Sequence, residues 1–277
     1  MVRSALPGTS LRLARLSGHG DGRLLLVPLD HSVSDGPITT PGGFDDLVRD
    51  IVAGGADGIV VHKGRARQID PQLLASCSLL VHLSASTAHG PDTDAKVLVG
   101  DVEEALRLGA DAVSVHVNIG SVTEGAQLAD LGAVAAACGR WGMPLLAMIY
   151  PRGPRITAPI APQLVAHVAN IAADLGADLV KTVFAGSAEQ MAEAVAACPV
   201  PVLVAGGPDT RQSLPDFART ALGAGCQGLA VGRRIFTAPS PAQAVRELAD
   251  ILHPPLAATL PLPLPLPVPS SRLTGVL

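Results

Sequence analysis

Eight short apolar runs, rich in β-branched residues and separated by longer segments, constrain the fold of this chain more than any other feature. They are Leu24–Leu29, Gly58–His62, Leu79–Leu83, Ala112–Val117, Leu145–Ile149, Asp178–Thr182, Val202–Ala205 and Gly228–Val231. They read as continuous apolar stretches rather than alternating ones, as parallel strands covered on both faces require. Helical spacing fills Phe44–Gly54, Asp101–Gly109, Thr123–Trp141, Gln163–Gly176, Ala188–Ala197, Ser213–Gly223 and Pro241–Leu252. The phrase Gly-Ala-Asp recurs at 55–57, 109–111 and 176–178, with Gly225-Cys226-Gln227 as a variant, each time just before a strand. Such a turn ends a helix on a left-handed glycine, packs the second residue and opens the strand with the third. Eight units of this kind can make an open doubly wound sheet or a closed barrel. The number eight, and the lack of Gly-x-Gly-x-x-Gly after the first run, favour an α/β fold of one (β/α)8 TIM barrel.

A barrel of this type fills about 250 residues, and residues 1–253 supply it. Residues 254–277 differ: Pro254-Pro255 and the Leu-Pro alternation of 260–267 exclude helix and strand alike. A polyproline-like or disordered tail is expected there. With 48% hydrophobic but only 2% aromatic residues, the core must be built of Ala, Val, Leu and Ile. A net charge of −4 and a pI near 6.0 leave no electrostatic footprint for nucleic acid. No apolar run reaches the roughly 18 residues of a membrane span, and Arg3, Arg12 and Arg15 interrupt the N-terminus where a secretory signal would be apolar. The expectation is a cytoplasmic protein with a small-molecule partner, no nucleic acid and no membrane. Cys77, Cys138, Cys198 and Cys226 are far apart, lie in Ala- or Leu-rich stretches and form no CxxC, so they are expected to be buried free thiols.

Catalytic groups of such barrels sit at the C-terminal ends of the strands. Among the polar residues at those ends, Lys181 stands out. Lysine occurs only as Lys63, Lys96 and Lys181, so it is not serving as general surface solvation. Lys181 lies inside an apolar strand, where an ammonium is costly unless paired or shifted in pKa; it is either half of a buried ion pair or a Schiff-base nucleophile. Lys63, beside Gly64 and Arg65, reads as a loop cation. Tyr150, the only tyrosine, ends the fifth strand and can pass a proton at the reacting carbon. Asp30 and His31 end the first, where a carboxylate beside a cationic iminium can act as base, with His31 alternatively a supporting group. Gly206-Gly207 and Gly232-Arg233 follow the seventh and eighth strands, where backbone N–H groups without an intervening Cβ can reach a phosphate and Arg233 adds charge. His62, His82 and His116 offer an alternative metal set, which would leave Lys181 without a role; no metal and no organic cofactor are expected.

Several long motifs carry a family resemblance: Val27-Pro28-Leu29-Asp30-His31-Ser32-Val33-Ser34-Asp35-Gly36-Pro37, Gly109 through Asn118, Tyr150-Pro151-Arg152-Gly153, Leu179-Val180-Lys181-Thr182, Ala205-Gly206-Gly207-Pro208 and Val231-Gly232-Arg233. From about residue 10 to 252 the chain resembles the archaeal-type class I aldolases. That family includes fructose-bisphosphate aldolases, 2-amino-3,7-dideoxy-D-threo-hept-6-ulosonate synthases and enzymes that join dihydroxyacetone phosphate to L-aspartate 4-semialdehyde on the way to 3-amino-4-hydroxybenzoate. The resemblance implies Lys181 as the Schiff-base lysine, Tyr150 as proton donor, Asp30 as base, phosphate held by Gly206, Gly207, Gly232 and Arg233, and a homo-oligomer. The stretch Trp141 to Met148 and the loop His116-Val117-Asn118-Ile119-Gly120-Ser121 resemble the amino-heptulosonate branches, and Ser32 with Val183-Phe184 favours the aminohydroxybenzoate type. Arg152, Arg155 and His116 are the candidates to hold an amino acid's carboxylate. A non-catalytic barrel that binds a sugar phosphate is the reading from a different class.

Overall fold

The computed structural model describes residues 7–40, 42–206 and 212–254; Gly207 and most of the Pro-rich segment lie outside them. Eight parallel strands close into a barrel: β1 Leu24–Pro28, β2 Gly58–His62, β3 Ser78–His82, β4 Ala112–Ile119, β5 Leu145–Pro151, β6 Leu179–Thr182, β7 Val202–Ala205 and β8 Gly228–Ala230. Each strand pairs with its neighbours in sequence, and β8 returns to β1 in the register Leu24 to Gly228. Gly228 is required there, because a Cβ would stand 2.0 Å from the Leu24 carbonyl oxygen. The closed barrel expected over the open sheet is what forms.

Seven longer helices, α2 Phe44–Gly54, α3 Val102–Arg107, α4 Glu124–Trp141, α5 Pro162–Asp174, α6 Ala188–Ala196, α7 Leu214–Gly223 and α8 Pro241–Leu252, match the expected helical segments within a few residues. Strict alternation fails once. Between β2 and β3 the chain makes only a turn of helix at Lys63–Ala66 and a 3-10 turn at Pro71–Leu74. Two further elements were not anticipated. Helix α1, Pro7–Leu16, sends Leu16 (1% exposed) into the cluster that fills the barrel, alongside Leu24, Leu26, Val60, Leu80 and Leu146. After β3, Ser84–Ala85 and Val97–Leu98 pair as a short antiparallel ribbon.

The Gly-Ala-Asp turns do more than cap. Gly55, Gly109, Gly176 and Gly225 all adopt positive φ, between 80° and 98°. Ala56, Ala110 and Ala177 are buried, and Cys226 takes the same place in the variant turn, which accounts for that thiol. Burial pushes the Cys77, Cys138 and Cys226 thiols up to about 12, and all four cysteines are free. The third residue reaches back to the strand before: the carboxylates of Asp57, Asp111 and Asp178 accept the N–H of Leu25, Leu79 and Leu145 at 2.6, 3.0 and 2.9 Å. The Asp N–H in turn donates to the carbonyl of the same residue. Each turn therefore clips the start of one strand to the start of the next.

Removing one clip leaves a strand N–H without a partner, which costs about 1–3 kcal/mol. Asp111→Ala should lower the unfolding free energy by that amount in urea titration. An unchanged midpoint would show that water replaces the carboxylate.

Candidate active site

The two-residue period of a strand decides what enters the barrel. Starting from interior residues at the lower level, Leu24, Val60, Leu80, Ala112, Leu146, Leu179 and Leu203, steps of two lead upward through a layer that includes Leu26, Ser114 and Met148. Further up, the same interior positions carry His62, His82, His116, Tyr150 and Lys181. All five line one cavity of about 660 Å3 at the C-terminal mouth, together with Asp30, which follows β1. Lys181 is 8% exposed, and its Nζ lies 3.9 Å from Met148 Sδ on the neighbouring strand. Among the described residues no carboxylate lies within 4 Å of it, so Lys181 is not half of a buried ion pair.

Asp30 sits between His82, whose Nε2 is 3.7 Å from its Oδ2, and His31, whose Nδ1 is 3.6 Å from its Oδ1. Those separations are too long for hydrogen bonds, and both Asp30 Oδ1 and His31 Nδ1 are buried without a partner. Burial pulls the Asp30 carboxyl upward, but the combined field of His82, His31, Lys181 and His62 outweighs it and holds the group at about 2. Burial, only partly opposed by Asp30, takes His82 down to about 4. Its Nδ1 meets Ser114 Oγ at 2.8 Å. His116 is driven well below the usual imidazole range by burial and then by Lys96. Asn118 Nδ2 donates to the Asp94 carbonyl, so its Oδ1 accepts from His116 Nε2 at 2.9 Å and Nδ1 carries the lone pair. His116 is thus a neutral ring, not the cation a carboxylate would seek. Its ring lies 5.0 Å from that of Tyr150, whose hydroxyl makes no hydrogen bond among the described residues.

At the other end of the cavity, Gly232 leaves room that His31 fills: a Cβ there would be 2.5 Å from His31 Cε1 and 2.6 Å from the Pro28 carbonyl oxygen. His31 also meets Phe236 edge-on at 5.2 Å, so it braces Asp30 against the turn after β8. Gly206 and Arg233 line the same end, with Arg233 paired to Asp35 at 2.5 Å. Arg152 lines the cavity with its Cζ 5.8 Å from the Tyr150 ring centre. Arg155 is exposed and does not line the cavity. Lys63 is bonded to Glu104 at 2.8 Å and is not a nucleophile candidate. His62, His82 and His116 do not bring three ligand atoms together; among the described residues only His19, Asp57 and His253 do, far down at the start of β2 and the end of α8. Several lining residues were not singled out as candidates from sequence, among them Asp94, Arg234 and Lys96. Arg234 donates to the Gly206 and Gln212 carbonyls at 3.5 and 2.8 Å. Lys96 hangs over the mouth from the ribbon, and only its rarity as a lysine pointed to it.

Residues 24–238 match the model of the DeoC/LacD family aldolases. The chain belongs to this family. Over 255 residues, 91% of the chain and 93% of the relative, it is 54% identical to the 2-amino-4,5-dihydroxy-6-oxo-7-(phosphonooxy)heptanoate synthase of Streptomyces griseus. It is 38% identical over 248 residues, 89% of the chain and 92% of the relative, to a 2-amino-3,7-dideoxy-D-threo-hept-6-ulosonate synthase of Halobacterium salinarum. Among solved structures, an archaeal fructose 1,6-bisphosphate aldolase superposes with a TM-score of 0.79 at 29% identity, covering 88% of this chain and 99% of that one. Another, with its catalytic lysine covalently bound to the carbinolamine intermediate, gives 0.78 at 27% identity with the same coverage. No helix among the described residues of this aldolase is long and apolar enough to cross a membrane.

The histidine shifts carry a sign. Folded His82 takes its proton near pH 4, against about 6.5 for a free imidazole. Between those values the unfolded chain binds more protons, so stability falls as pH falls. The urea midpoint should decline from about pH 6.5 toward about pH 4, and His82→Gln should flatten the slope. Equal slopes in the two proteins would contradict the neutral, buried ring.

Proposed function

We propose that this class I aldolase condenses dihydroxyacetone phosphate with L-aspartate 4-semialdehyde, giving 2-amino-4,5-dihydroxy-6-oxo-7-(phosphonooxy)heptanoate, a precursor of 3-amino-4-hydroxybenzoate. The observation that carries the Schiff-base chemistry is the interior lysine without a carboxylate partner, its Nζ open to the cavity beside Met148. The 54% identity over nearly the whole length supports the substrates.

Lys181 Nζ adds as the free amine to the ketone carbon of dihydroxyacetone phosphate, forming a C–N bond as the carbonyl pair moves to oxygen. The carbinolamine loses water and leaves an iminium, which acidifies the adjacent hydroxymethyl carbon. Tyr150, its hydroxyl uncommitted and its ring beside His116, gives its proton to the departing carbinolamine hydroxyl and then, as the phenolate, takes the proton lost from that carbon. Asp30, ionised throughout the working pH range, is a weak base; its negative charge stabilises the iminium instead. This shifts the role expected for Asp30 from base to electrostatic partner, with His31 bracing it. The enamine carbon attacks the aldehyde, the new alkoxide takes a proton, and water hydrolyses the second iminium to release product and Lys181. The donor's phosphate is assigned to the end of the cavity lined by Gly206, Gly232 and Arg233, with Gly207, outside the described residues, as the remaining candidate.

Mass spectrometry of the reaction with both substrates should show the seven-carbon phosphate. Fructose 1,6-bisphosphate from glyceraldehyde 3-phosphate, or product only when a deoxy-ketohexose phosphate replaces the donor, would assign a different branch. Tyr150→Phe should lower kcat about 100-fold or more. A value near that of the unchanged enzyme would remove Tyr150 from proton transfer.

A further inference from the structure

The cavity has two positively charged ends on opposite arcs of the barrel. From Lys181 on β6, one arc runs through β7 and β8 to Gly206, Gly232 and Arg233, whose charge Asp35 already balances. The other runs through β5, which Arg152 directly follows, and β4 to Lys96 at the ribbon after β3. Among the described residues neither Lys96 nor Arg152 has a carboxylate within 4 Å, and the Lys96 ammonium hydrogen-bonds only Ser86 Oγ. Burial draws the Lys96 pKa downward and the nearby charge of Arg152 adds to this, against the weaker pull of Asp30, Asp94 and Asp35. A half-buried ammonium beside a second cation, with no carboxylate within 4 Å among the described residues, favours the entry of an anion.

Their placement is built rather than incidental. The Asp94 carbonyl, two residues before Lys96, accepts from Asn118 Nδ2 at 2.8 Å and from Gln127 Nε2 at 3.0 Å. Asn118 and Gln127 are 0% and 1% exposed, so buried amides from β4 and α4 clamp the ribbon. Val99 N–H donates to the Leu83 carbonyl at 2.8 Å and closes its far side. The Asp94 carboxylate lines the same wall and has no hydrogen bond or ion pair among the described residues. Two unpaired cations and one unpaired carboxylate on one wall match an α-amino acid, carboxylate to Lys96 and Arg152, ammonium to Asp94.

We infer that Lys96, with Arg152 opposite and Asp94 beside it, forms the subsite that receives the α-carboxylate and α-ammonium of the amino-acid aldehyde. The inference rests on the proposed acceptor and gives it a place: the acceptor's charged head lies under the ribbon, its aldehyde directed toward Lys181. A phosphate on the acceptor would instead meet Asp94 as a repulsive neighbour.

The test compares unchanged enzyme, Lys96→Met and Lys96→Arg with two acceptors, L-aspartate 4-semialdehyde and uncharged propanal. Borohydride trapping of dihydroxyacetone phosphate on Lys181 reports donor binding separately. Losing a charged hydrogen bond to the carboxylate should raise the semialdehyde KM about tenfold or more in Lys96→Met, with kcat changed by less than about threefold. Propanal KM and the donor concentration for half-maximal trapping should not move, and Lys96→Arg should restore most of the loss. A semialdehyde KM unchanged in Lys96→Met overturns the subsite. So does an equal rise for propanal, or a shift in donor trapping, which would place Lys96 at the donor's phosphate. If the unchanged enzyme traps the donor yet forms no seven-carbon product, the acceptor reading itself fails, and the subsite falls with it.

Discussion

Closure of the sheet between Leu24 and Gly228 fixes the direction of every interior side chain in this aldolase. Once β8 meets β1 in that register, each strand has a set face toward the axis, and a step of two residues moves one layer up. The lower layers are Leu, Val and Ala, sealed from below by Leu16 of α1. The upper layer is His62, His82, His116, Tyr150 and Lys181. One geometric rule thus separates a packed core from a reactive mouth within single strands, and Leu179 and Lys181 show the change across two residues. The clips at Asp57, Asp111 and Asp178 serve the same end by holding strand starts level.

The electrostatics of the mouth follow from that crowding. Four imidazoles, an amine and one carboxylate share a small volume; burial draws the imidazole pKa values down, and Asp30 is held at about 2, so it is a carboxylate at neutral pH. A negative charge therefore stands in the same cavity as the Lys181 amine and acts on it. Lys96 and Arg152 line the same cavity, with no carboxylate within 4 Å of either among the described residues.

Much of the barrel could be read from residues alone, because continuous apolar runs and repeated glycine turns are local signals. Lys181 and Tyr150 were legible through rarity, one of three lysines and the only tyrosine, in strands where polarity has to be explained. The rest depended on partners distant in sequence. Leu13 and Leu16 of α1 make sense only against the barrel floor. The clip function of the Gly-Ala-Asp carboxylates involves strand starts 32 or 33 residues upstream, which no turn pattern reveals. Residues 86–96, which join the two ribbon strands and carry Lys96, mix Ser, Thr, Asp, Gly and Pro with Ala and have no apolar period; buried amides of Asn118 and Gln127 hold them at Asp94. Asp30 follows β1 in sequence, but the His82, His31 and Lys181 that surround it are brought there only by the fold.

The central claim is that Lys181 alone forms the covalent bond to the ketone donor. With only three lysines in the chain, it can be decided by one measurement: reduction with borohydride in the presence of dihydroxyacetone phosphate, proteolysis, and mass mapping of the adduct. The account predicts a single modified lysine, on the peptide containing Leu179-Val180-Lys181-Thr182, and no adduct in Lys181→Ala. An adduct on Lys96 or Lys63, or product formed at an undiminished rate by Lys181→Ala, would contradict it.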